Sequence, residues 1–414
     1  MTGAIAAPAA ALTTTDATPA AAPRRARQRM ALLICGLLFF NTLAYNPVPL
    51  LIPFPSTIGK LLTQSALALA VVLVLAFNRD RLVRPNLFLT LLTLLALSSL
   101  MVSVRMATGP GSLFRAGRMC TFVAVLWLLT PLWGRADRLL LRFHVACLLG
   151  VLSTVVVGFA VAPGRARQID GRLAGQLWPI PPTQVGHYAA VLAGIVVVLA
   201  LCGEMRGRTA TLIAGAAVAV LLLTHTRTAL IALLAGVVCS ILSLIAVRRR
   251  ARHAGVIVLV VAALLLTVLA PAVRTWFSRG ESIQTVGQLN GRRIVWNQLV
   301  KAPRSDFAEV FGMGLTNKSF NGLPIDSSWL ATFQDQGLFG DAICAAMLIA
   351  LLMLAATRPR GPASAVAVFL IVYCTIASFT ETGLGDISPY VLDLAVAASL
   401  LAMPGDVPLR RATS

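Results

Sequence analysis

The stretch "GLFGDAICAAMLIALLMLA", residues 337–355, decides the fold. At about 1.5 Å per residue, a helix of this length crosses most of the hydrocarbon core of a bilayer. Two further runs, "LLTQSALALAVVLVLAF" (61–77) and "AGVIVLVVAALLLTVLA" (254–270), have the same character. The chain has 414 residues, 58% of them hydrophobic and 12% charged. A soluble domain carries about 25% charged residues. The fold class is therefore all-α, a polytopic membrane protein.

The apolar runs divide the chain into about twelve transmembrane helices. They are expected near 30–53, 61–77, 87–104, 119–133, 139–161, 186–202, 209–224, 228–247, 254–273, 337–356, 363–379 and 389–403. Residues 1–29 read as a disordered basic tail, because the first part is Ala-, Pro- and Thr-rich and "RRARQR" (24–29) follows. Residues 30–403 form one transmembrane domain, with a large loop at 274–336, and residues 404–414 are a second tail.

The formal net charge is +20. In a soluble chain that would point to nucleic acid. Here most of the Lys and Arg fall in short segments on one side, with "RRRARH" (248–253) the densest. Cytoplasmic loops collect such residues, so both termini are expected in the cytoplasm. No nucleic-acid partner is needed. The opposite face is also basic, beyond what orientation requires, which suits an anionic ligand such as a lipid phosphate.

The loop at 274–336 is long for a membrane hairpin, and loops of that length usually carry function. Within it "LNGRRIVWNQLVKAP" (289–303) reads as a short amphipathic helix at the membrane surface, with Ile294, Trp296, Leu299 and Val300 on one apolar face. Arg292 and Arg293 occupy its first turn, where the helix dipole disfavours cations by about 0.3–1 kcal/mol each. A bound phosphate would reverse that penalty. Arg227, in "LLLTHTRTALIALLAG" (221–236), sits between two apolar runs on the outer side, where a snorkelling anchor is less natural than a functional cation.

Asp326, in "GLPIDSSWLATFQDQGLFG" (322–340), is either the N-cap of the following helix or a catalytic base. Arg118, Arg172, Trp178 and Trp296 are accessory candidates. Trp178 reads as an interfacial anchor or a sugar-stacking surface. The seven cysteines lie in or beside apolar runs as packing residues, and the four histidines are scattered, so no metal site is visible.

This set of segments resembles the O-antigen ligase and polymerase family of bacterial membrane glycosyltransferases. The resemblance covers roughly residues 160–360. It rests on "GRLAGQLWPIPPTQ", "THTRTALIALLAG", "GRRIVWNQLV", "FGMGL" (311–315) and "LATFQDQGLFG", in that order. It implies a metal-independent, cofactor-free and inverting transfer of a sugar or glycan to an acceptor glycan or lipid at the outer face of the cytoplasmic membrane. The donor is linked to a polyprenyl phosphate or diphosphate. Arg227 and Arg292 or Arg293 would hold the donor phosphates.

Such ligases place a histidine eleven residues before the first glycine of the "G-L-x-G" entry; here that position is Asp326, ahead of Gly337. The shape, elongation, division and sporulation glycosyltransferases look similar in this region and carry an aspartate there. A transporter or flippase for lipid-linked sugars is the rival reading. It would show ionisable groups deep in several spans.

Overall fold

The computed structural model describes residues 21–43, 45, 50–51, 53, 55–167, 171–253, 255–256, 275–276 and 292–403. The span expected at 254–273, the first part of the large loop and both terminal tails lie wholly or mostly outside them.

The described residues are mostly helical, with almost no sheet. The helices are α1 (Ala21–Thr42), α2 (Ser56–Phe77), α3 (Leu87–Arg105), α4 (Pro110–Leu129), α5 (Asp137–Val161), the single turn α6 (Pro163–Ala166), α7 (Pro182–Leu201), α8 (Gly207–Leu223), α9 (Arg227–Leu244), α10 (Arg292–Lys301), α11 (Asp306–Phe311), α12 (Ser328–Thr357), α13 (Pro362–Ala377) and α14 (Pro389–Leu401). A two-residue hairpin pairs β1 (Ser319–Phe320) antiparallel with β2 (Leu323–Pro324). Among the described residues, seven helices are long and apolar enough to cross a membrane, and α8, α13 and α14 are shorter apolar helices.

Burial follows from which helices are apolar all round. In α7 nearly every residue from Val185 to Val198 is buried, and α13 is similarly enclosed. Such helices belong in the centre of a bundle. Helix α13 packs against α9, α14 and α7, and α7 packs against α8, α9 and α5. At the periphery α2 exposes Leu61, Leu62, Leu69 and Val72, and α3 exposes Leu97, Met101 and Val104, as expected of lipid-facing surfaces.

The central contact depends on small residues. A Cβ on Gly194 of α7 would lie 1.9 Å from the Phe369 ring, and one on Gly236 of α9 would lie 2.8 Å from it. The two glycines form a notch that takes the α13 phenyl ring. Small residues let membrane helices approach closely in this way, where lipid offers no hydrophobic drive between them.

Several boundaries differ from the sequence expectation. Helix α4 starts at Pro110 rather than near 119, because Gly109 takes φ +95° and Pro110 is suited to the first turn. Arg115 and Arg118 therefore stand on α4 rather than in a loop. Helix α12 begins at Ser328, nine residues ahead of Gly337, and breaks there with φ +68° and ψ −168°. The break is packed against the turn after α11. Cβ atoms on Gly312 and Gly337 would lie 2.3 Å from Gln336 N and 2.4 Å from Val310 C. Met313 N and Gly314 N donate to the carbonyls of Gln334 and Asp335. The "FGMGL" and "GLFG" segments are thus two halves of one backbone-to-backbone joint.

The polar run Gln334-Asp335-Gln336 serves the same joint. Asp335 Oδ1 accepts from Thr316 N at 3.1 Å and from its hydroxyl at 2.7 Å. Gln336 Nε2 donates to Ser99 Oγ of α3 and to the carbonyl of Gly385, both at 2.7 Å. Burial without partners would cost each group about 1–3 kcal/mol, so this network sets the position of α12.

Candidate functional site

Three connecting segments meet at the end of the bundle where α12 begins. They are the turn between α8 and α9, the segment from α10 to α12, and the loop between α13 and α14.

Helix α10 is fixed first. Val295 and Leu299 are buried, and Leu299 forms a small core with Ile325 and Ala331 that Phe320, Leu330 and Phe333 cover. Ile294 and Val300 are exposed instead, so the apolar face expected from the sequence is rotated. The i, i+4 pair Val295/Leu299 has a protein surface to bury against, and this selects the face. Trp296 Nε1 donates to the carbonyl of Ile325 at 2.6 Å. Arg304 donates to Gln334 Oε1 at 2.6 Å and lies 4.5 Å over the Phe333 ring, so both ends of the α10 segment are tied to the region of α12.

This anchoring presents Asp326. Its backbone has φ +44°, a left-handed value that few non-glycine residues adopt. The strain bears on the two sequence readings. The N-cap of α12 is Ser327, and Ser328 N donates to the carbonyl of Ser378 at 2.9 Å. Asp326 therefore does not cap the helix. Its Oδ2 stands 3.1 Å from Arg292 Nε. Arg292 is half-buried and turned to this carboxylate, while Arg293 is exposed.

The turn before α9 is rigid. Thr224 and Thr226 are buried, His225 takes φ +49°, and Arg227 opens the helix. Thr226 Oγ1 donates to the carbonyl of Pro182 at 3.3 Å. The segment at 172–173 straps this turn: Arg172 Nε donates to the carbonyl of Thr224, and Leu173 N to that of Leu223, both at 3.0 Å. Arg172 is thereby set beside the turn that carries Arg227.

The loop between α13 and α14 joins the two halves. The hydroxyls of Thr228 and Thr380 are 2.5 Å apart. Ser328 Oγ donates to the carbonyl of Glu381 at 2.7 Å, and Trp329 Nε1 donates to Ser378 Oγ at 3.0 Å. Glu381, which the sequence reading assigned no role, is half-buried here and interacts electrostatically with Arg292, Asp326 and Arg172. Burial pushes its carboxyl up to about 7; Asp326 adds to the rise, and Arg292 and Arg172 oppose it. Nothing local in "SFTETGLG" marks this residue, since only the folded loop sets it against three charges.

Residues 212–337 match the family model described as O-antigen ligase. The match takes in Arg227, Arg292, Arg293, Asp326 and the Gly337 break. This part of the chain is thus similar to O-antigen ligases, and it sits in a helical membrane protein. No curated protein matches the chain. Arg172 and Glu381 fall outside the matched O-antigen ligase segment, on either side of it.

The accessory candidates are divided. Trp296 is a positioning contact, as described. Arg118 lies close enough to Asp386 to interact electrostatically; Lys318 Nζ is 3.5 Å from Asp386 Oδ2, five residues beyond Glu381. Trp178 packs against Phe40 and Tyr45, with ring centroids at 5.3 and 5.6 Å, and so joins α1 and the segment after it to the α6–α7 segment. Among the described residues no group of three or more His, Cys, Asp or Glu is arranged to hold a metal ion.

A second polar cluster lies inside the bundle. Asp393 of α14 stands 2.9 Å from His144 Nε2 of α5 and 3.1 Å from His187 Nε2 of α7, all three nearly sealed from solvent. Asp393 and His144 stand out in the sequence as charges within spans, but nothing there shows that they meet. The link through His187 is tertiary.

Proposed function

We propose that this chain is a glycosyltransferase of the cytoplasmic membrane, built on about twelve spans, with both termini in the cytoplasm and the site at the outer face. It moves a sugar or glycan from a polyprenyl phosphate- or diphosphate-linked donor to an acceptor hydroxyl. The observation that carries the reading is the Arg292–Asp326 pair at 3.1 Å, held where the Arg227 turn, the α10 segment and the Glu381 loop meet.

Arg227 and Arg292, with Arg172 beside them, grip the donor phosphates and stabilise the charge that develops on the leaving group. Asp326 takes the proton from the acceptor hydroxyl. The freed oxygen attacks the anomeric carbon as the bond to the phosphate oxygen breaks, and its electron pair leaves with the phosphate. A single displacement of this kind inverts the anomeric centre. Removing a positioned base typically costs a factor of about 10²–10⁴. Purified protein given a lipid-linked glycan donor and an acceptor should therefore lose at least about a hundredfold in rate on Asp326→Asn. Transfer at the unchanged rate would remove Asp326 from the base role.

One observation favours transport of lipid-linked sugars. The His144–Asp393–His187 cluster places ionisable groups on three helices deep in the bundle, as proton-coupled carriers do. Proteoliposomes loaded with donor decide between the two. Glycosidic product formed without donor crossing the bilayer supports the enzyme; donor crossing without product supports the carrier.

A further inference from the structure

We propose that Arg115 of α4 is a positioning residue for Asp326, acting through the turn whose backbone pairs with Ile325. The inference rests on the reading of Asp326 as the base, given above.

A short chain of contacts carries it. Arg115 is half-buried and donates from two guanidinium nitrogens, one to the carbonyl of Thr316 and one to Asn317 Oδ1. A planar fork holds two acceptors at once in a way that a lysine does not. Asp335 of α12 takes the N–H and the hydroxyl of the same Thr316. Thr316 is thus held on its donor side by α12 and on its acceptor side by α4. Lys318 follows at φ +55°, and its carbonyl accepts from Ile325 N at 3.1 Å, which extends the β1–β2 pairing by one step. Ile325 is sealed from solvent, and its own carbonyl accepts from Trp296 Nε1. The residue before Asp326 is therefore fixed by both of its backbone groups, one through the Arg115 turn and one through α10.

Asp326 needs these supports. A left-handed φ of +44° in a non-glycine residue persists only where the surrounding chain over-determines it. On the far side, Ser328 N and Oγ donate to the carbonyls of Ser378 and Glu381. On the near side, the α3–α4 turn backs the whole segment. Arg105 at the end of α3 lies 4.6 Å over the Phe307 ring. A Cβ on Gly314 would lie 3.0 Å from Ser112 Oγ, 3.1 Å from Thr108 Oγ1 and 3.2 Å from Ser103 Oγ. Without the Arg115 fork, the turn at 316–318 shifts against Ile325, Asp326 relaxes toward an ordinary φ, and its carboxylate leaves the place that Arg292 marks.

The test is a double-mutant cycle on purified full-length protein with a polyprenyl diphosphate-linked glycan as donor. Turnover and donor affinity are measured for the unmodified chain, Arg115→Ala, Arg115→Lys, Asp326→Asn and the Arg115→Ala/Asp326→Asn pair. Arg115→Ala should lower turnover about tenfold, the scale of a misplaced reacting group, and leave donor affinity unchanged. Arg115→Lys should recover part of that loss. In the Asp326→Asn background Arg115→Ala should cost nothing further, because no base is left to place. An equal loss in both backgrounds would show that Arg115 acts on the fold at large, and overturns the proposal. Unchanged turnover, or a loss of donor affinity alone, overturns it also. If Arg115→Ala does not fold, Asn317→Ala removes one acceptor of the same fork from an exposed side chain, and should show a smaller loss with the same dependence on Asp326. If Asp326→Asn by itself leaves turnover unchanged, the base reading fails and the positioning role falls with it, a result distinct from the others.

Discussion

Arg292 Nε meets Asp326 Oδ2 at 3.1 Å across 34 residues of sequence, and Trp296, one helical turn further along α10, holds the Asp326 segment through the carbonyl of Ile325. The same short helix therefore supplies a cation to the carboxylate and fixes the backbone beside it. Arg292→Lys keeps the charge but not the planar guanidinium fork. It should lower transfer rate more than donor affinity, whereas Arg292→Ala should lower both. Rate and donor titration on the two purified variants separate these outcomes.

Arg227 opens α9 from a turn that buried threonines and the 172–173 strap hold rigid. Arg227→Ala should weaken binding of polyprenyl diphosphate about tenfold or more, the scale of a lost charge-assisted contact. The thermal midpoint of the same variant, measured alongside, separates lost donor binding from lost folding. Unchanged donor affinity would take Arg227 out of the phosphate site.

The joint between Gly312 and Gly337 sets how α12 approaches the site. Gly337→Ala places a Cβ 2.4 Å from the Val310 carbonyl carbon at φ +68°. It should cost about 2 kcal/mol or more, as strained left-handed positions do. The readout is a lower unfolding midpoint in detergent, together with lost activity. Gly361→Ala, where an added Cβ has nothing within 4 Å, is the control and should change little.

The buried cluster makes its own prediction. Asp393→Leu leaves His144 and His187 without the carboxylate that each of them faces, and should destabilise the bundle by about 1–3 kcal/mol. Membrane proteins often show the lower end of such values. If Asp393→Leu unfolds at the same temperature as the unmodified chain, the cluster does not tie α5, α7 and α14 together.

Glu381 also links stability to pH. Its carboxyl is raised from an ordinary 4.5 to about 7 on folding, so between these values the folded chain binds more protons than the unfolded chain. The contribution of this group to stability is present in full below about 4.5 and is lost as pH rises towards 7. Unfolding midpoints of the unmodified chain and Glu381→Gln should therefore diverge as pH is raised from 5 to 8, with the glutamine variant relatively more stable at the upper end. Parallel curves would show that the carboxyl is not perturbed by folding.

The amino-acid sequence by itself determined that this is a helical membrane protein, because long apolar runs have one inexpensive solution in lipid, a helix whose backbone bonds are internal. It also singled out Arg227, Arg292, Arg293 and Asp326 as candidates for chemistry, since a cation or an acid beside an apolar run is costly enough to stand out. Only the tertiary structure decided that Arg292 rather than Arg293 faces Asp326, because Val295 and Leu299 had to find a protein surface before the face of α10 was fixed. It alone rejected the N-cap role of Asp326, through the Ser328–Ser378 bond, and brought in Glu381 and His187. These residues have ordinary local sequences. What distinguishes them is the charges that approach from distant segments, and electrostatic coupling at close range depends on where the chain folds rather than on the order of its residues.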